Sequence, residues 1–278
     1  MLPNLIVIGA MKAGTTSLHQ YLSLHPEICM SDPKETDFFV ETGNWQRGLA
    51  WYQSSFARPA AIWGDASPNY TAYPHLKGVP ERMHSVVPDA KLIYVVRDPI
   101  ARMVSNYLHN VHGGREERPI AEALLDPSSR YLNRSRYYLQ VRQFLDYYDQ
   151  SRIMIVSSEE LSADRVKVLR EVFAFLGVDD TFRSDEFHGV SGASAEHKRQ
   201  LTLMGRLSRG LARAVEPIMP SRNEAWSELK QSARLLLSRE RARPMLKDDA
   251  RERIADLLAE DVAQFRSWSR VDFNNWSI

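Results

Sequence analysis

A short apolar run, Leu5-Ile6-Val7-Ile8, leads directly into Gly9-Ala10-Met11-Lys12-Ala13-Gly14-Thr15-Thr16-Ser17. A helical pattern then starts with Leu18, Tyr21 and Leu22. This reads as a buried strand, a glycine-containing turn and a helix N-terminus. The first backbone N–H groups of a helix have no partner within it, and the helix dipole favours an anion there. Gly9 and Gly14 allow backbone conformations and a close approach that a side chain would block. Lys12 adds a charge, and Thr15, Thr16 and Ser17 add hydroxyl donors. The chain therefore opens on a phosphate cradle.

The nucleotide-triphosphate P-loop needs Gly, four residues, then Gly-Lys-Ser/Thr. Gly9 and Gly14 have that spacing, but Thr15 follows Gly14 and the lysine stands two residues before it. Gly-x-x-Lys-x-Gly-Thr-Thr resembles instead the 5′-phosphosulfate loop of sulfotransferases that use 3′-phosphoadenosine 5′-phosphosulfate (PAPS). The resemblance implies that Lys12, Ala13, Gly14, Thr15, Thr16 and Ser17 hold the cofactor's 5′ end. An ordinary strand-to-helix turn with a surface lysine is the plainer alternative.

Strand-like runs recur along the chain. Ile62-Trp63-Gly64-Asp65 is a weak one; Lys91-Leu92-Ile93-Tyr94-Val95-Val96 and Ile153-Met154-Ile155-Val156 are strong, being rich in β-branched residues. Helical patterns fall at roughly 17–24, 79–86, 99–109, 136–149, 162–176 and 248–266. The alternation predicts an α/β fold with three α/β/α layers around a mostly parallel sheet. Sites in such sheets lie at the carboxyl ends of strands, where both the Gly9 loop and Arg97 fall. At 278 residues the chain is long enough for one such domain over 1–278.

Arg97-Asp98-Pro99 ends the strongest strand and starts a helix, with Pro99 suited to the first turn. An arginine at a strand end and Ser105 eight residues later can converge on one anion, the arginine as a charged planar fork and the serine as a short donor. Val96-Arg97-Asp98-Pro99-Ile100-Ala101-Arg102-Met103-Val104-Ser105 resembles the sulfotransferase 3′-phosphate motif. The resemblance implies that Arg97 and Ser105 hold the 3′-phosphate.

Further segments are similar to heparan-sulfate-type sulfotransferases and their bacterial relatives: Lys34-Glu35-Thr36-Asp37-Phe38-Phe39, Ser67-Pro68-Asn69-Tyr70, Asn133-Arg134-Ser135-Arg136-Tyr137, and the ending Val271-Asp272-Phe273-Asn274-Asn275-Trp276. The family's P-loop-like fold is therefore expected. The likeness also implies cofactor contacts from Ser135 and Tyr137, and from Lys198 and Arg199 later in the chain. It makes Glu35 the general base that takes the acceptor's proton. A carboxylate beside two aromatics is expected to be partly desolvated, which suits a base; a solvated glutamate paired with Lys34 is the alternative. Asp37 competes for the role but is expected on the other side of an extended segment. Lys12 is expected to stabilise the leaving phosphate. His109 and His112 lie beyond the Ser105 turn and read as structural or surface residues, and His25 as packing or capping the first helix.

Two departures bear on the acceptor. Heparan-sulfate enzymes usually carry a lysine where Ala66 stands, and their disulfide hairpin has no counterpart, since Cys29 is the single cysteine. With a net charge of +1, these argue against a polysulfated glycan. They favour a small-molecule, lipid, glycolipid or polyketide-like acceptor with a free hydroxyl. No metal-ligand cluster and no nucleic-acid signature appear, and no stretch spans a membrane. The apolar run at the start is too short for a signal peptide, so a cytoplasmic protein is expected. Segment 189–247 carries many arginines with apolar residues at helical spacing. It reads either as amphipathic helices or as a lid or acceptor-side insertion, with membrane contact a lesser option. The alternatives to a PAPS-dependent sulfotransferase are a P-loop-like nucleotide kinase or NTPase, and a non-catalytic nucleotide-binding relative.

Overall fold

The computed structural model describes residues 2–188, 199–201, 238–240 and 244–278. Five parallel strands, β1 (Leu5–Gly9), β2 (Ile28–Met30), β3 (Ile62–Ala66), β4 (Lys91–Val96) and β5 (Ile153–Ser157), form one sheet in the order β2-β3-β1-β4-β5. β1 is buried along its whole length, as a central parallel strand covered on both faces must be. A separate antiparallel pair joins Arg199–Leu201 to Ser238–Glu240.

The helices are α1 (Thr15–Ser23), α2 (Gly48–Gln53), α3 (Val79–Val86), α4 (Pro99–His112), α5 (Ile120–Leu125), α6 (Arg130–Asn133), α7 (Tyr137–Leu145), α8 (Ser158–Ala163), α9 (Arg165–Leu176) and α10 (Asp248–Ser269). The expected helix over 162–176 is two, because Asp164 leaves helical geometry and caps α9 through the Lys167 amide. Most of the 189–247 segment lies outside the described residues.

The chain crosses from β1 to β2 in one direction along the sheet and returns through β3 to β4 and β5 in the other; the right-handed connection usual for parallel strands puts these crossovers on opposite faces. Side-chain packing agrees with this. On one face α1 meets the α9 region: the fully buried His25 ring lies 4.6 Å from Phe173 and 4.8 Å from Phe182. This is the packing role read for His25. On the other face Tyr94 of β4 meets Tyr137 of α7 and Phe265 of α10 at 5.8 and 6.4 Å. The connections diverge between β1 and β4. A crevice therefore opens at the carboxyl ends of those two strands.

Gly9 ends β1 beside that switch point. A Cβ there would lie 2.0 Å from the Thr71 hydroxyl oxygen and 3.2 Å from the Tyr94 ring. Thr71 is buried and donates to the Ile8 carbonyl at 3.0 Å, so it has nowhere to swing. Gly9→Ala is expected to lower unfolding free energy by about 2–4 kcal/mol through overpacking and loss of that bond. A urea titration with an unchanged m-value checks this.

Candidate active site

The loop after β1 takes the backbone form that its glycines suggest. Gly14 caps α1 with φ 105°, a left-handed conformation suited to glycine. The first helix-internal bond is Leu18 N–H to the Gly14 carbonyl, so the amides ahead of it belong to an anion-accepting helix start. The Ala10 amide donates to the Val95 carbonyl at 2.6 Å, which ties the loop to β4. Lys12 itself adopts φ 70°. Its half-buried ammonium is held below the ordinary lysine value, by burial first and by neighbouring Arg97 second, with Glu35 opposing. Lys12, Arg97 and Glu35 are thus brought within electrostatic reach of one another.

Arg97 is fixed through its backbone. The Tyr137 hydroxyl donates to the Arg97 carbonyl at 2.7 Å and lies 3.3 Å from the Arg97 amide. Asp98 caps α4 through the Ala101 amide at 2.7 Å and donates its own N–H to Glu159 at 2.9 Å. Ser105 stands half-buried two turns into α4. His109 and His112 fall in the last turns of that helix. The closing Phe273-Trp276 segment stacks at 4.2 Å and sets Trp276 5.5 Å from Tyr137, backing the residue that holds Arg97.

Ser135 and Tyr137 connect to the two arginines of this segment, Arg102 and Arg97. Ser135 is fully buried, with its hydroxyl between Arg102 Nε at 2.7 Å and the Pro99 carbonyl at 3.1 Å. Both hydroxyls are engaged within the fold, that of Ser135 by Arg102 and that of Tyr137 by the Arg97 backbone. Lys198 and the side chain of Arg199 lie outside the described residues.

Arg102 and Arg134 are what the sequence reading missed. Arg102 has no exposed surface, and burial lowers its pKa from the usual arginine value. It donates to the Met11 carbonyl at 3.1 Å, the Tyr131 carbonyl at 2.6 Å and Asn106 at 3.3 Å. It thereby anchors the residue preceding Lys12. Its signal was present: Arg102 and Asn106 share the buried face of α4 with Met103, an odd place for two polar residues. Arg134, also buried, donates to Met11 Sδ at 2.8 Å and to Asn69 Oδ1 at 2.7 Å. Burial, then the Arg102 charge, brings its pKa down to about 10.

The Glu35 turn lies within electrostatic reach of Lys12. Glu35 and Asp37 have φ values of 65° and 46°, so the segment is a tight turn and not the extended run expected. Phe38 and Phe39 turn inward: Phe38 stacks on Tyr52 at 4.1 Å, and Phe39 lies 5.5 Å from Tyr70. They do not desolvate Glu35, whose side chain is 43% exposed and pairs with Lys34 at 2.6 Å. The less exposed carboxyl of this turn is Asp37, which is half-buried. It accepts from Asn69 at 2.8 Å, and burial, opposed by that bond, raises its pKa above the usual carboxylate value.

Comparison with known proteins decides the family. The sulfotransferase domain model matches residues 2–200. The chain belongs to the sulfotransferase family. It is 30% identical over 206 residues to the mouse bifunctional heparan sulfate N-deacetylase/N-sulfotransferase 4, covering 66% of this chain and 23% of that protein. It is 29% identical over 198 residues to mouse heparan sulfate glucosamine 3-O-sulfotransferase 3B1, covering 67% and 49%. The chain thus spans between about a quarter and a half of the length of these relatives. Among solved structures, a sulfotransferase from Alicyclobacillus acidocaldarius superposes with a TM-score of 0.71 at 25% identity, covering both chains fully. Mouse SULT7A1, solved with 3′-phosphoadenosine 5′-phosphate (PAP), shares the fold with a TM-score of 0.50 at 13% identity over 97% of this chain and 87% of that one. The P-loop-like α/β/α fold is that of the family. No described helix is long and apolar enough to cross a membrane, and no described group of three or more His, Cys, Asp or Glu residues could hold a metal ion.

Proposed function

We propose that this chain transfers the sulfuryl group of PAPS to a hydroxyl of a small-molecule, lipid, glycolipid or polyketide-like acceptor. The observation that carries the reading is the pairing of two cationic anchors, Lys12 and Arg97, at the ends of adjacent strands β1 and β4, one for each phosphate end of the nucleotide. In this reading the loop amides and the hydroxyls of Thr15, Thr16 and Ser17 hold the 5′ end. Arg97 and Ser105 hold the 3′-phosphate. Lys12 neutralises charge growing on the leaving phosphate, and Glu35 takes the acceptor's proton. Positioning and electrostatics carry most of such a transfer, as in phosphoryl transfer. Ala66, buried at the end of β3, supplies no cation where the heparan-sulfate enzymes carry a lysine, which supports a neutral hydroxylated acceptor.

Calorimetry with PAP in the absence of magnesium tests the cofactor. Tight binding is expected; no binding, or magnesium-dependent ATP hydrolysis, would overturn the reading. Arg97→Ala is expected to weaken PAP about 10- to 100-fold, the loss of a charge-assisted hydrogen-bond set. The same variant should bind adenosine 5′-phosphosulfate, which lacks the 3′-phosphate, as the parent does. The acceptor class is tested with labelled PAPS against aliphatic alcohols, alkyl glycosides and desulfated heparan oligosaccharides. Preference for the last would reverse the acceptor assignment.

A further inference from the structure

One fully buried carboxylate beside the site has no role in the chemistry above. Asp65 lies near the carboxyl end of β3, next to the strand that leads into the phosphate loop. No described cation lies within ion-pair distance of it; its partners are four hydroxyls. Tyr70, Thr36 and Tyr52 donate to Oδ2 at 2.6, 2.7 and 3.1 Å, and Ser67 donates to Oδ1 at 2.8 Å. A carboxyl group taken from water without an ion pair is costly, and a well-packed apolar replacement is often as stable. Stability alone therefore does not account for an acidic residue here.

The donors show what the group holds. Thr36 directly follows Glu35. Its hydroxyl, besides donating to Asp65, lies 3.3 Å from the Phe38 amide as that amide's acceptor. Ser67 accepts from the Asp37 amide at 3.0 Å. Both arms therefore end on the amides of Asp37 and Phe38, two and three residues after Glu35. Asn44 adds a bond to the Thr36 carbonyl at 2.6 Å. This turn also carries left-handed backbone at Glu35 and Asp37, neither of them glycine. Such residues keep that conformation only where their surroundings over-determine it.

We propose that Asp65 is a positioning residue for sulfuryl transfer: through Thr36 and through Ser67 it holds the left-handed turn that presents Glu35 to Lys12. The proposal rests on the reading of Glu35 as base. Asp65 touches neither nucleotide nor acceptor in this arrangement and acts through the turn.

Three variants, Asp65→Asn, Thr36→Val and Thr36→Ser, test this with the acceptor that turns over best in the panel above. Asp65→Asn and Thr36→Val should lower kcat on the order of 10- to 100-fold, the effect of misplacing a reacting group by about an ångström. The KM for PAPS and the affinity for PAP should stay at parent values. Thr36→Ser, which keeps the hydroxyl, should restore kcat, and Asp65→Asn added to Glu35→Gln should cost nothing further. Unchanged kcat in Asp65→Asn and Thr36→Val, a full further loss in the Glu35→Gln background, or Thr36→Ser as slow as Thr36→Val would overturn the proposal. Hydrogen exchange needs no acceptor. The amides of Asp37 and Phe38 should lose protection in Asp65→Asn or Thr36→Val while those of β1 and β3 keep it. Retained protection at Asp37 and Phe38 rejects the role of Asp65; lost protection together with a Glu35→Gln variant of full activity rejects only the choice of base.

Discussion

Lys12→Ala should lower kcat by about 10²- to 10³-fold, the usual cost of removing one donor aimed at a developing oxyanion. PAP affinity should fall less, because the product's charge is already spread over both phosphates and is also met by Arg97 and the helix start. The pH dependence gives a second signature. The Lys12 ammonium is held below its ordinary value of 10.5 by burial and by Arg97. The charged form does the work, so activity is complete below the Lys12 pKa and declines as pH rises through it. Bound phosphates add negative charge beside the ammonium and raise that pKa again. The alkaline limb of kcat/KM, which reports the free enzyme, should therefore lie at lower pH than that of kcat. Both limbs should vanish in Lys12→Ala. A pH–rate series on the parent and the variant measures all of this. An alkaline limb that persists in Lys12→Ala belongs to another group.

Much of the scaffold could be read from local pattern. β1, β4 and β5 are apolar, β-branched runs, and α3 (Val79–Val86) fills the expected interval. The two glycines of the phosphate loop announced their roles because left-handed backbone and close approach favour glycine. β2 escaped notice because three residues, Ile28–Met30, are too few to show a period. The Glu35 turn escaped for a different reason. Its left-handed positions are a glutamate and an aspartate, so no glycine marks the bend, and the segment read as extended. The contacts of Arg102 and Asp65 were hidden by distance along the chain. Arg102 reaches Ser135 and Met11, 33 and 91 residues away, and Asp65 reaches Thr36 across 29. Sequence spacing shows which side chains share a helix face; it does not show which remote hydroxyl satisfies a buried charge. Ser135 and Tyr137 illustrate the consequence. Their motif marks them as site residues, and only the fold shows that their hydroxyls bond Arg102 and the Arg97 backbone.

Glu35→Gln should lower kcat by about 10²- to 10⁴-fold, the range for losing a general base, and leave PAP affinity at the parent value. The geometry separates it from its competitor. Asp37 has the environment of a base in one respect, since burial raises its pKa. Yet Oδ2 already accepts from Asn69, and Oδ1 is enclosed with no hydrogen-bond partner, so an acceptor hydroxyl has no approach to Oδ1. Glu35 is reachable, with its side chain 43% exposed and engaged by Lys34 at 2.6 Å. A surface ion pair of this kind is worth at most about 1 kcal/mol, so an arriving acceptor can displace Lys34 without large loss. Asp37→Asn should therefore act chiefly on stability, relieving a half-buried carboxyl while keeping its size, with kcat within about threefold of the parent. Single-turnover transfer of labelled sulfate, measured beside PAP calorimetry for both variants, decides the assignment. If Asp37→Asn loses transfer and Glu35→Gln keeps it, Asp37 is the base, and the turn must open to expose it. If both variants keep transfer, the acceptor proton passes to water, and the catalytic contribution of the chain is electrostatic, from Lys12.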